Sequence, residues 1–140
     1  MRDNRFLADR LATIHANFFA EVPITNRIFV RFGRATKNRL GSIIAKPHPE
    51  YSAPVTYIRI NDLFRDPIVP EYVIDATLAH EFAHYTHGFH SPLPKKYTHP
   101  HRGNVVNKEI ISRGAGHLLT QQDAWLKTEY VPLLKRKRMI

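Results

Sequence analysis

From Glu71 to His87 the chain runs without a proline or a glycine, and Pro70 and Gly88 bound the segment. Pro70 suits the entry of a helix, and Glu71 and Asp75 stand near its positive end. A helix is therefore expected over about 71–87, with Gly88 as its stop. Inside it stands His80-Glu81-Phe82-Ala83-His84. Residues four apart share one face of a helix, with Cβ atoms about 5–6 Å apart, so two imidazoles can close on one metal ion. Glu81, three residues before His84, keeps its carboxylate on the same side. In a chain of this composition the pattern is expected by chance about 0.02 times.

The chain has no cysteine, which excludes disulfides, thiolate metal sites, iron–sulfur clusters and cysteine nucleophiles. A metal must then be held by histidine and carboxylate, and zinc accepts neutral imidazole at roughly 2.0–2.1 Å. Three protein ligands leave a fourth position for water, whose pKa zinc lowers to about 7. Glu81 would take that water's proton and return it to the leaving amine.

The third ligand is open on spacing alone, because six of the nine histidines lie from His80 to His101. His87, one turn on, would crowd His84, which leaves it beside the ligands or facing solvent. His90 has the spacing of the metzincin pattern, but His87 stands where that pattern wants glycine. The only methionines, Met1 and Met139, offer no Met-turn. His99 and His101 follow a proline-bearing loop able to swing back over the helix. Glu109 would complete a His-His-Glu site of the gluzincin kind.

Around this segment the pattern predicts an α+β domain. Leu7, Leu11, Ile14 and Phe18 form one apolar stripe of a helix over about 4–20, ended by Pro23. Strand periodicity follows at Ile28–Phe32 and Val55–Ile60, and between them Leu40–Ala45 is a short strand candidate closed by the Pro47-His48-Pro49 loop. The strands succeed each other without a crossover helix, so a small, mainly antiparallel three-stranded sheet is expected. Gly88–Pro100 reads as an ordered loop or lid. A helix over about 103–113 ends at Gly114, and Thr120-Gln121-Gln122-Asp123 resembles a capping box opening a last helix. Phe6, Phe18, Phe29, Phe32 and Phe82 are expected in the core, and Trp125 and Tyr130 are expected to anchor the last helix. His15 and His48 carry no pattern. At 140 residues one domain is expected over 1–134, followed by a basic tail over 135–140.

The net charge of +9 favours a negatively charged partner. No acid occurs between Glu21 and Glu50, where Arg27, Arg31, Arg34, Lys37, Arg39 and Lys46 fall, and Lys135–Arg138 adds a second run. Non-specific DNA binding through a basic surface is one expectation, and a solvated basic face is the other. No apolar run approaches the roughly 20 residues of a membrane span. Met1–Phe19 is interrupted by Asp3, Asp9 and Arg10, unlike a signal peptide, so a cytoplasmic protein is expected. Tyr97, His99, Arg102 and His117 are candidate oxyanion donors. Strand Val55–Ile60 is a candidate to pair with an extended substrate, or else an ordinary core strand.

From about Asn4 to Gly114 the sequence resembles the SprT-like zinc metalloproteases, a zincin-type family that includes the DNA–protein crosslink protease Spartan. The resemblance rests on the opening helix, the basic Arg31–Gly41 stretch, Ile58-Arg59-Ile60-Asn61, Leu63-Phe64, and Asp75 through His84. It implies a protease domain with His80, His84 and His101 on Zn2+, Glu81 as general base and acid, and a protein or peptide substrate near DNA. A nucleic-acid-binding module with a structural zinc is the rival from another class.

Overall fold

The computed structural model describes residues 1–140. Helix α1 (Asn4–Phe18) leads into strands β1 (Ile28–Phe32), β2 (Gly41–His48) and β3 (Tyr51–Ile60). After a short 3-10 turn at Asp62–Arg65 come α2 (Glu71–Thr86), a second such turn at Arg102–Asn104, α3 (Val105–Ser112) and α4 (Gly116–Arg136). The class is α+β, as the sequence predicts.

Helix α1 is started by Asp3, whose carboxylate accepts from Phe6 N at 2.9 Å. Its buried stripe is Leu7, Leu11 and Ile14. Phe18, at the last helical position, is only half-buried, and Phe19 just beyond it enters the core fully. The bidentate Arg10–Asp75 pair, at 2.9 and 2.6 Å, ties α1 to α2.

The sheet order is β1-β3-β2, with β2 and β3 antiparallel and β1 and β3 parallel. The parallel pairing departs from the mainly antiparallel expectation. The chain leaves β1, skips the neighbouring position, lays down β2 at the far side and returns through a hairpin, so β3 enters between them in β1's direction. β2 also runs on through Pro47 to His48, and a register shift between Lys46 and His48 accommodates the proline. The additional N-terminal stretch of β3, Tyr51–Pro54, is exposed and shows no apolar alternation that would reveal it.

One face of the sheet, with Val30, Phe32, Ile58 and Ile60, packs into the core shared with α1 and α2. The other face is open, and it carries Phe29, which the sequence reading placed in the core. Phe29 instead stacks on Tyr57 at 5.5 Å and on His48 at 5.7 Å, because alternation along β1 turns it opposite to Ile28 and Val30.

Helix α2 is buried nearly all round: from Val73 to Thr86 only His80 keeps partial exposure. A helix with that pattern lies between other elements, so its polar residues face a cleft or a partner and not bulk water. Helix α4 begins at Gly116, a full turn before Thr120, whose hydroxyl donates to the Gly116 carbonyl at 3.3 Å inside the helix. The Thr120–Asp123 pattern is therefore not a cap. Trp125 packs on Phe64, and Tyr130 donates to the carbonyls of Thr36 and Lys37 at 3.2 and 3.0 Å. Lys135 and Arg136 belong to α4, and Lys137 pairs with Asp66 at 2.8 Å. No helix is long and apolar enough to cross a membrane.

Candidate metal centre

His80 and His84 sit one turn apart on α2, with their Nε2 atoms 3.2 Å from each other. The chain then closes at Gly88, where φ is +83° and a Cβ would meet the Pro94 carbonyl oxygen at 2.5 Å. The loop beyond it brings His101 back over α2, its Nε2 3.0 Å from that of His84. The donor atoms of His80, His84 and His101 all lie within 4.8 Å of one another. Nitrogens held about 2.0–2.1 Å from one tetrahedral ion are about 3.3–3.4 Å apart, so the spacing suits a small cation.

The electrostatics suit one as well. Burial, with help from the neighbouring histidines, pushes His80 down to about 4 and His84 down to about 3. Both rings are therefore neutral near pH 7, the form in which imidazole binds metal. The Nδ1 of His84 is buried without a protein partner, so Nε2 is its only atom turned toward other polar groups. Three histidines in this arrangement can hold a metal ion.

Glu81 shares the cleft. It is 5% exposed, and burial pushes its carboxyl up to about 7 against the opposing positive charge of Arg39. The cleft has a volume of about 300 Å³, and Glu81, the three histidines, Arg39 and Ser42 are among its walls. Its opposite wall is the start of β2. There Gly41 comes so close to α2 that an added Cβ would lie 2.7 Å from Thr77 Cγ2 and 3.4 Å from Glu81 Oε2.

The other candidates are placed elsewhere. His90 lines the cleft, but it has φ of +55° and its Nδ1 accepts from Ala45 N at 3.3 Å. His99 is exposed and outside the group. Glu109 receives His87 Nε2 at 2.8 Å and Arg113 Nε at 2.8 Å. Burial raises the Glu109 pKa, but those two hydrogen bonds outweigh it and hold the carboxyl low. His87 is fully buried rather than facing solvent, because α3 covers it.

None of Tyr97, His99, Arg102 and His117 lines the cleft. The cationic side chain that does is Arg39, from the basic Arg31–Gly41 stretch. Its signal was its position directly before Leu40-Gly41 in the acid-free segment. Val55–Ile60 is the central strand, paired on both sides, and so cannot accept a further strand. The free edge at the cleft belongs to β2. Ala45 N points away from β3 toward His90, so by alternation the Ile43 N–H and C=O face the cleft too. Comparison of the chain with protein-family models, with curated proteins and with solved structures finds no match.

Proposed function

We propose that the protein is a zinc-dependent metallopeptidase of the SprT-like, zincin type, acting on peptide bonds in proteins, including proteins associated with DNA. The observation that carries this reading is a buried carboxyl, Glu81, opening into the same cleft as three convergent neutral imidazoles. His80, His84 and His101 would hold the ion. A bound Zn2+ supplies Lewis-acid polarisation of a carbonyl and acidifies water. Glu81 accepts a proton from the attacking water on its carboxylate and delivers it to the leaving nitrogen. The free edge of β2 at Ile43 aligns an extended peptide through main-chain hydrogen bonds. Arg39, on the cleft wall, replaces the oxyanion donors expected from the sequence. A chain without cysteine agrees with a cytoplasmic location.

Glu81→Gln tests the mechanism, because the amide keeps the shape and cannot accept the proton. Hydrolysis of a denatured protein should fall by at least ~10²-fold with the zinc retained. A Gln variant as active as the wild type would remove Glu81 from the chemistry.

A nucleic-acid-binding role is favoured by a separate observation, the open face of the sheet. Arg27 and Arg31 lie over the Phe29 ring at 5.0 Å, and Arg59 lies over Tyr57 at 5.4 Å. Stacked rings with guanidinium groups suit single-stranded nucleic acid. Binding of oligothymidylate should weaken with salt, and Arg31→Gln should flatten the slope of log K against log salt by about 0.7. Binding that does not respond to salt would leave the basic balance as a solvated surface.

A further inference from the structure

Beside the metal cleft lies a second recess of about 330 Å³, and Arg39, Gly41 and Ser42 form walls of both. Arg34, Arg39 and Arg59 all line it, with no carboxylate and no aromatic ring among its walls. None of the three arginines takes part in an ion pair. Arg59 also lies over the Tyr57 ring at 5.4 Å, and three arginines without a carboxylate partner along one recess give it a positive potential that an incoming anion stabilises.

The recess is built and not incidental. Asn61, 4% exposed, donates its side-chain amide to the carbonyls of Thr36 and Arg39 at 2.7 and 2.8 Å. Its backbone N–H donates to the Leu40 carbonyl at 2.9 Å, and Gly33 N donates to the Ile60 carbonyl at 2.9 Å. Tyr130, from α4, holds the carbonyls of Thr36 and Lys37. The loop from Gly33 to Leu40 is thus fastened at several points, and it presents Arg34 and Arg39 on a fixed frame.

We propose that this recess is a specificity subsite that takes the carboxylate side chain of an Asp or Glu in the substrate, close to the scissile bond. The inference rests on the peptidase reading for its place in the reaction, and on the recess alone for the chemistry it binds. A peptide paired with the β2 edge at Ile43 runs past the imidazoles, and at the Ser42–Gly41 end of that edge the recess opens. Guanidinium groups bind carboxylate in bidentate fashion, which makes such a contact selective as well as attractive. The volume suits one or two side chains. A nucleic acid strand fits less well here, because no ring is among the walls of the recess and the neighbouring Tyr57 ring is already covered by Arg31 and Arg59.

The test uses two fluorescein-labelled peptides that differ only in four Glu replaced by four Gln. Their binding to the full-length, zinc-loaded Glu81→Gln protein is followed by anisotropy at low salt. The Glu peptide should bind at least ~10-fold tighter, and the preference should vanish in Arg39→Gln and Arg59→Gln on that background. Arg5→Gln, an exposed site on α1 that lines neither cavity, removes the same charge and should leave the preference intact. Unaltered melting temperatures show that the variants are folded. Equal binding of the two peptides overturns the proposal, as does a loss of the same size in Arg5→Gln. Binding of oligothymidylate that depends on Arg39, without binding of the Glu peptide, overturns it in favour of nucleic acid. The two readings fail separately. Wild-type cleavage of both peptides at one rate, with equal binding, ends the subsite and leaves the peptidase. A Glu preference in binding without any cleavage ends the peptidase and leaves the subsite.

Discussion

The Nε2 of His101 lies 3.0 Å from the Nε2 of His84, although 17 positions separate the two residues. One lies in the helix that crosses the core, and the other is exposed at the end of a loop. A single backbone hydrogen bond, from Asn104 N to the His101 carbonyl at 3.3 Å, closes that loop end, and through the Arg102–Asn104 turn it continues directly into α3, on which its position depends. Helix α3 is fixed to α2 by the His87–Glu109 hydrogen bond, with Arg113 closing the other carboxylate oxygen.

Glu109→Gln and His87→Ala should therefore weaken zinc binding without removing any ligand. The expected loss is ~10–100-fold, the range seen when the partners of metal ligands are removed. Competition with a chromophoric chelator measures it. Zinc affinity equal to wild type in both variants would show that α3 does not position His101.

The titration of the metal-free protein should follow from burial at the cleft. Glu81 is raised from 4.5 to about 7, so its contribution to stability is present below about 4.5 and is lost as pH rises through about 7. His80 and His84 are lowered from 6.5, so theirs is present above about 6.5 and lost as pH falls toward about 4 and about 3. Only the first contribution is absent from Glu81→Gln. Relative to wild type, the chelator-treated variant should gain on the order of 3 kcal/mol between pH 4.5 and pH 8. Urea unfolding at the two pH values reads this directly. A difference between the two proteins that stays constant with pH would contradict it.

Gly41→Ala adds one methyl group where there is no room. Its Cβ would stand 2.7 Å from Thr77 Cγ2 and 3.0 Å from the Arg59 carbonyl oxygen. β2 must then move away from α2, at a cost of about 1–3 kcal/mol in unfolding free energy. Because Gly41 also walls both cavities, hydrolysis should fall by more than the loss of folded protein explains. Thermal unfolding together with single-turnover kinetics separates the two effects. An Ala variant of wild-type stability would show that the contact is relieved by side-chain movement alone.

Much of the fold was legible in the sequence. Proline and glycine punctuation marks α2, alternation marks β1 and the second half of β3, and β2 shows only as a short apolar run before Pro47. The parallel pairing of β1 was not legible, because each strand's own pattern is the same whichever neighbour it takes. The Thr120–Asp123 pattern misled for a local reason: Gly116 starts the helix a turn earlier, and the Thr120 hydroxyl bonds within it. At the site, the i, i+4 geometry of His80 and His84 follows from the helix. Spacing left four residues open for the third position, since a loop from Gly88 to Pro100 sets no fixed distance. Resemblance to a family favoured His101, and the structure brings His101 to the pair. The place of Arg39 on the cleft wall is not legible in the sequence, because it depends on the fastening of its loop by Asn61 and Tyr130.

The most direct measurement is a zinc titration of the wild type and of single variants at His90, His99, His101 and Glu109, each in competition with a chelator. The wild type should bind one equivalent. His101→Ala should lose more than ~10²-fold in affinity, beyond what removal of a ligand's neighbour gives, while His90→Ala and His99→Ala stay close to wild type. Loss of the metal in His90→Ala with full binding in His101→Ala would contradict the three-histidine centre and with it the SprT-like reading of the site.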